Sequence, residues 1–562
     1  MNPSTHNPGA RQGTLLLAGA LLFGLALACV VERDIFCNPY AVNDDVRNQI
    51  YWMAQILNPR YFSQDYIASY FTQPVLVSPV LAMVYNTLTP WVSPLSLSQW
   101  MPFPLVLLAT FFLFKFCEKY RNATYAFWSC FAFNCSLWIF KNMAGGLSRA
   151  FIYPLLFLTL WLISLNQWVG VTIALLLSAL IYPPAFFLAA VLILVELIRF
   201  YGKDGYFKHR LLSLLTGIIG SLALLQWRSS QSMIGNAFGP LSSNQSTEGL
   251  RDFFVGGRIV LFPWGNLSAQ WPAPFKLFGE LLERLPQLYI LIPTGVFLLV
   301  LYVYHVHLKR RLGSLLIPGK VWRLLLSSAI LYMVAWACLF YLYVPERYLQ
   351  YTLPLVPTFV FGTLFYRLQQ VWRPKALMAF LGLTLLVTSL FWRDDLMNPK
   401  PQERALFHYL NTLPAQAMIA APPGLASNIP LYSFRSVYIS NEAYIPFHQR
   451  YFRTVKNRLK NWISAYYTDD PQVLAQFIRR NRVDYLVVQL DDFSHKRIGS
   501  LPEKYYYAFD PVFFNQLRAS AANSFLRRRV PRKLAAFHTD SLRVIESQAL
   551  LRFIESGEYD KP

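Results

Sequence analysis

The chain has 562 residues, 55% of them hydrophobic and only 14% charged, with a mean hydropathy of +0.33. A water-soluble protein carries roughly 25% charged residues, so an ordinary soluble enzyme is excluded and a polytopic membrane protein fits. The net charge of +22 needs no nucleic acid partner, because much of it gathers in short loops between apolar runs.

Stretches long enough to cross a hydrocarbon core of ~30 Å at about 1.5 Å per residue fall at 13–31, 99–117, 123–140, 147–165, 167–181, 182–199, 211–227, 287–306, 324–344, 350–368 and 375–392. That predicts about eleven transmembrane helices. The first run lacks a small-x-small cleavage site and reads as a retained helix rather than a signal peptide. The run 75–92, broken by Pro79 and Pro90 and preceded by Pro74, reads as a membrane-surface hairpin, with a twelfth span as the alternative.

Short-loop lysines and arginines set the orientation. Lys115, Lys119, Arg121, Arg199, Lys203, Lys208, Arg210, Lys309, Arg310, Arg311, Lys320, Arg323, Arg367, Arg373 and Lys375 all fall on one side. Eleven spans then put the N-terminus inside and everything after Trp392 outside. Cysteine adds little: only Cys37 lies in a loop, and no disulfide framework or metal-ligand spacing is visible.

After Trp392 the long apolar runs stop. A helix is expected over 403–413, strands at 417–421, 437–439 and 483–488, and a helix over 471–481. Alternation at this spacing predicts a soluble α/β domain, 393–562, following a transmembrane domain, 1–392. The Arg527-Arg528-Arg529 cluster reads as a solvated face.

On this topology the unusual polar residues share the outer face. The first outer loop, 32–98, holds Asp44, Asp45, Arg47 and Asp65, and no lysine. Lys141 and Arg149 sit in the turn between the third and fourth spans. Tyr182-Pro183-Pro184 separates the fifth and sixth. The long outer loop 228–286 supplies Arg251, Asp252 and Arg258, and Arg347 with Tyr348 opens the tenth span.

Acids and arginines so placed suit transfer from a lipid phosphate. A carboxylate takes the proton of an attacking hydroxyl, while arginines hold the phosphate leaving group with paired donors and a permanent charge. A divalent metal, Mg or Mn, is the other way to bridge carboxylate and phosphate, but no ligand set in the sequence specifies one. Each residue also has a plainer reading. Asp44-Asp45 would cap a helix starting at Val46, and Asp65 would cap another. Arg149 and Arg347 would anchor at the interface, and Glu196 would reach towards Arg199.

The first loop, Asn43-Asp44-Asp45-Val46-Arg47-Asn48-Gln49 through Trp52-Met53 to Asp65-Tyr66-Ile67-Ala68-Ser69-Tyr70-Phe71, resembles the acidic first loop of the GT-C glycosyltransferase superfamily. Pro345-Glu346-Arg347-Tyr348 followed by Leu353-Pro354-Leu355 is similar to the late Arg-Tyr-then-Pro segment of bacterial members. The resemblance covers about 1–392. It implies an integral membrane glycosyltransferase of the bacterial inner (plasma) membrane, using a polyprenyl-phosphate-linked sugar and inverting the anomeric carbon. Asp44 or Asp45 would be the catalytic carboxylate, and Asp65, Arg149, Arg258, Arg347 and Tyr348 would bind substrate.

The implied acceptor is a glycolipid, polysaccharide or protein hydroxyl. Trp392-Arg393-Asp394-Asp395 is not the Trp-Trp-Asp signature of oligosaccharyltransferases, which argues against transfer to asparagine. A lipid-linked glycan transporter and a non-catalytic envelope glycan-binding protein are the other readings.

Overall fold

A computed structural model describes residues 8–200, 207–242, 317–338, 341–342, 344–370, 374–391, 396–500 and 511–560. The run at 287–306, Arg258 and most of the loop 228–286 lie outside the described residues.

Within them, every other long apolar run is helical, as a chain must be where lipid offers its backbone no partners. The helices are Pro8–Val31, Pro102–Tyr120, Ala123–Asn134, Ile152–Ser164, Trp168–Ile181, Pro183–Phe200, Phe207–Ser230, Gly319–Ala337, Leu355–Leu368 and Pro374–Phe391. Four stretches, Arg11–Val31, Pro94–Tyr120, Phe207–Ser230 and Gly319–Ala337, are by length and composition enough to cross a membrane.

Between apolar helices in lipid, close packing and buried polar contacts replace the hydrophobic drive. At Gly362 a Cβ would come within 2.8 Å of the Ser129 Cα, so the glycine lets Leu355–Leu368 lie against Ala123–Asn134. Thr110 and Asn134 hydrogen-bond at 3.2 Å between buried side chains. Glu196, 1% exposed, pairs with Arg323 Nε at 2.6 Å; the side chain of Arg199, its expected partner, lies outside the described residues.

The first loop folds as short helices laid across one end of the bundle, including Val46–Gln49, Tyr66–Phe71, Pro79–Leu88 and Pro94–Trp100. Over 75–92 the surface hairpin is replaced by a helix that Pro79 starts, since proline lacks the N–H that a first turn leaves unused. Ser78 accepts from Leu81 N at 3.2 Å to cap it.

Residues after 396 build a five-stranded sheet in the order β2-β1-β3-β5-β4. β1 (Met418–Ala420), β2 (Ser436–Val437) and β3 (Tyr485–Gln489) are parallel, whereas β5 (Leu542–Glu546) and β4 (Ala535–His538) run antiparallel. Leu486, Val487 and Val488 are fully buried at its centre, as a strand covered on both faces must be. The helices Gln449–Tyr467 and Pro471–Asn481 pack their apolar sides, with Trp462, Ile463, Leu474 and Ile478, into the same core.

This sheet unit sits on the first loop. Val42 and Met397 form a β-bridge, the rings of Tyr70 and Tyr451 stack at 3.8 Å, and Tyr432 donates to the Tyr40 carbonyl at 2.7 Å.

Candidate active site

A cavity of ≈ 540 Å³ opens where the first loop, the helix ends and the sheet unit meet. Its lining combines polar side chains, Asp45, Ser148, Arg149, Arg228, Arg347 and Glu442, with apolar ones, Ile50, Trp52, Met53, Val75, Leu76, Val77, Leu81 and Ile181.

Asp45 occupies the N-cap position of Val46–Gln49, yet its side chain makes no capping bond. The carboxylate pairs instead with Arg149 Nη1. Arg149 is delivered by the turn Ala144–Gly146, where Gly145 and Gly146 have φ of 84° and 60°, a region that favours glycine. A Cβ at Gly145 would also meet Asn43 Cβ at 2.9 Å, so the paired glycines bring this turn against the acidic loop. Arg149 Nη2 then donates to Asn43 Oδ1 at 3.1 Å. Asp45 and Arg149 each keep about a third or less of their side chains exposed, 33% and 27%, and both border the cavity.

Arg347 enters from the short helix Glu346–Gln350. Val344 just before it has φ 57°, a conformation that costs a β-branched residue about 1–3 kcal/mol. Arg347 stays exposed at the cavity lining; partial desolvation there works against its cation, while the phenols of Tyr182 and Tyr351 and the Asp45 carboxylate act the other way and hold its pKa above the usual arginine value. Arg228 is fixed differently. Its guanidinium donates to the carbonyls of Ala179 (3.1 Å), Val77 (2.9 Å), Val75 (3.3 Å) and Pro74 (3.4 Å), tying the apolar wall to the bundle.

The sheet unit contributes Glu442, Ile445 and Phe447 to the lining. Glu442 accepts from Arg47 Nη2 at 2.9 Å and from Asn48 Nδ2 at 3.4 Å. Arg47 Nη1 also donates to Asn428 Oδ1 at 3.2 Å, so the loop is bonded twice to the sheet unit through one guanidinium. Nearby, the Tyr70 hydroxyl and His448 Nδ1 are 2.9 Å apart, and burial lowers the His448 pKa to about 4.

Three expected site residues lie elsewhere. Asp44 is 55% exposed, pairs with Arg47 and does not line the cavity. Asp65 caps Tyr66–Phe71, accepting from Ile67 N at 2.8 Å and Ala68 N at 3.2 Å. Burial raises its pKa against those bonds and Arg458. Its plain capping role is what the geometry shows. Tyr348 is buried in the helical core, and Arg258 lies outside the described residues.

The sequence reading did not propose Glu442 or Arg228. Glu442 meets Arg47 across 395 positions, and nothing local signals that contact. Arg228 offered a clue, a cation closing an apolar span.

The donor set does not suit a hard divalent cation, which takes six or more oxygens. Among the described lining residues Asp45 and Glu442 are the carboxylates, too few oxygens for such a cation, and each is paired with an arginine here. Among the described residues no group of three His, Cys, Asp or Glu side chains comes together.

No family model matches the chain, and no curated protein sequence matches it. Solved structures do. The apo oligosaccharyltransferase of Archaeoglobus fulgidus aligns with a TM-score of 0.51 at 13% identity, over 88% of this chain and 72% of that one. That enzyme tethered to an acceptor peptide with an NVT sequon aligns at 0.48 and 12%, over 90% and 72%. The archaeal oligosaccharyltransferase AglB from Archaeoglobus fulgidus, in complex with an inhibitory peptide and a dolichol-phosphate, aligns at 0.47 and 12%, over 89% and 72%. The likeness to the apo structure is one of fold alone: the chain shares the architecture of that oligosaccharyltransferase over most of its length.

Proposed function

We propose that this protein is an integral membrane glycosyltransferase that moves a sugar from a polyprenyl-phosphate-linked donor to an acceptor hydroxyl. On this reading it has eleven spans, an inside N-terminus, a transmembrane domain over 1–392 and an extracytoplasmic domain over 393–562, in the bacterial inner membrane. The observation that carries the proposal is the cavity itself. The Asp45 carboxylate is paired with Arg149, and Arg347 and a set of apolar side chains line the same cavity.

In the proposed step the acceptor hydroxyl oxygen attacks the anomeric carbon from the face opposite the phosphate. Its bond to carbon forms as the carbon–oxygen bond to phosphate breaks, inverting the centre. The hydroxyl proton passes to Asp45, and polyprenyl phosphate leaves with the bonding pair. Negative charge grows on the departing oxygen, where fixed cations act most strongly.

Arg149 has two tasks. Before the donor arrives it neutralises Asp45. When phosphate enters, the guanidinium has donors for it and the carboxylate is released to act as base. The apolar wall of Val75, Leu76, Val77 and Leu81 offers the first isoprene units a surface continuous with lipid. The acceptor is a glycolipid, polysaccharide or protein hydroxyl. The fold likeness to the apo oligosaccharyltransferase accords with a lipid-linked donor.

The test compares envelope glycolipids and glycans by mass between cells with and without the protein. The expected result is loss of a sugar-sized increment from one envelope component, restored by the wild-type chain. Identical spectra with unchanged lipid-linked sugar pools would refute transfer.

A further inference from the structure

A second cavity, of ≈ 520 Å³, opens at the far end of the bundle from the Asp45 site. It is bordered by the end of Pro102–Tyr120, the end of Ile152–Ser164 and the start of Gly319–Ala337, and Lys119, Lys320 and Arg323 line it. Basic residues at this face are expected from the charge bias of the loops. A bias alone, however, predicts side chains spread into water. Here cations from two different helices converge on one concavity.

Three features make the site a built one. Arg323 is held by Glu196, itself 1% exposed, through Nε at 2.6 Å. A carboxylate is buried this deeply only when well paired, so the pair fixes the guanidinium in place. Its Nη1 and Nη2 lie by Gly319, 3.4 and 3.9 Å from where a Cβ would stand, and Gly319 also lines the cavity. The helix Gly319–Ala337 begins here with no side-chain cap, so its first N–H groups and dipole favour an anion at the same place. Lys119 makes no ion pair among the described residues, and the neighbouring acid, Glu118, is committed to Lys115 at 2.9 Å. Among the described residues no acidic side chain lines the cavity.

We infer that this cavity binds a phosphate-bearing anion, supplied by the head group of an anionic phospholipid in the leaflet at that face. The phosphate would sit between the Arg323 fork and the Gly319 helix start, with Lys119 and Lys320 closing over it. Basic pockets between membrane helices suit such head groups. Lipid supplied from the side reaches a site at helix ends without leaving the bilayer, and the Tyr120 ring lies at the rim. The inference rests on the helices spanning a membrane and is independent of sugar transfer.

The experiment uses the full chain in nanodiscs of phosphatidylcholine with a minor fraction of phosphatidylglycerol. Lipid retained after release is counted by native mass spectrometry, with no turnover needed. Wild type should keep phosphatidylglycerol in preference to phosphatidylcholine, and Lys119→Gln/Lys320→Gln should lose that preference about tenfold. A control, Lys208→Gln/Lys375→Gln, removes two charges from the same face away from the cavity and should keep it. Arg323→Lys, which preserves charge but not the fork, should fall between.

Inorganic phosphate is titrated in parallel. If it displaces phosphatidylglycerol and protects the wild type against unfolding as well as the lipid does, the phosphate site stands with a soluble ligand. Unchanged retention in Lys119→Gln/Lys320→Gln, or equal loss in the control, would overturn the site. Circular dichroism and gel filtration of each variant separate loss of binding from loss of fold.

Discussion

Two ion pairs leave the first loop only two residues apart and serve different regions. Asp45 reaches Arg149 at the cavity wall, with 33% and 27% of the two side chains exposed. Arg47 reaches Glu442 in the seam under the sheet unit, where 9% and 7% remain exposed. The chemistry of the pairs is the same, and their surroundings separate them. A partly wet pair can open and exchange partners at little cost. A buried pair cannot, because a lone charge there is left without solvent. The first region therefore suits a reaction, and the second suits a joint.

The strongest way to break this comparison is at the wall. Arg149→Ala and Arg347→Ala should each lower sugar transfer by about 10²-fold or more, as expected for removing a fixed donor from a growing negative charge. Arg149→Lys should recover only part, because an ammonium cannot serve carboxylate and phosphate with two parallel donors. Transfer rates at matched expression, with melting temperatures showing an intact fold, decide it.

At the joint the effect should appear as stability. Glu442→Gln leaves Arg47 only the half-exposed Asp44 carboxylate as partner and should cost at most about 3 kcal/mol, read as a lowered melting temperature in detergent. Arg47→Met in the same chain should restore a large part of that loss, since removing both charges removes the penalty. Full stability in Glu442→Gln alone would show that the seam is held by its rings, such as Tyr70 on Tyr451.

The seam should also respond to acid. His448 titrates at about 4 in the folded protein because of burial, against about 6.5 when unfolded. A depressed pKa means the unfolded chain binds the extra proton first. The stabilisation is thus complete above pH 6.5 and is lost as pH falls towards 4, by up to about 3 kcal/mol. His448→Gln should flatten that part of the stability–pH curve.

Asp65 gives the smallest effect. Asp65→Ala should cost about 1 kcal/mol through loss of the cap, and Asp65→Asn only a fraction of it. Neither should alter transfer once stability is matched, and a transfer defect in Asp65→Asn would return this residue to the site.

Much of the site was legible in the sequence because its residues sit at the ends of apolar runs, where topology alone assigns them a face. Asp45, Arg149, Tyr182 and Arg347 meet in the structure on that basis. What the sequence does not carry is direction within a face. Asp44 and Asp45 are neighbours with the same chemistry, yet one points to solvent and the other into the cavity. The choice depends on the Gly145-Gly146 turn pressing on Asn43, a contact between distant segments.

The sheet unit shows the same division. β3 stands out by its Leu-Val-Val run, and Pro471–Asn481 by its capping Asp470, which accepts from Gln472 N at 2.8 Å. The β4–β5 hairpin turns through Thr539-Asp540-Ser541 without a glycine, so the strongest hairpin signal is missing. The helix Gln449–Tyr467 is not among the expected elements, although Tyr451, Val455, Leu459, Trp462 and Tyr466 recur at helical spacing.

The most direct test of the account separates the two neighbouring aspartates. Cells lacking the protein are given the wild type, Asp44→Asn or Asp45→Asn at matched expression, and their envelope glycolipids and glycans are compared by mass. Wild type and Asp44→Asn should restore the sugar-sized increment, whereas Asp45→Asn, equally stable, should not. Full restoration by Asp45→Asn would contradict the proposed role of Asp45.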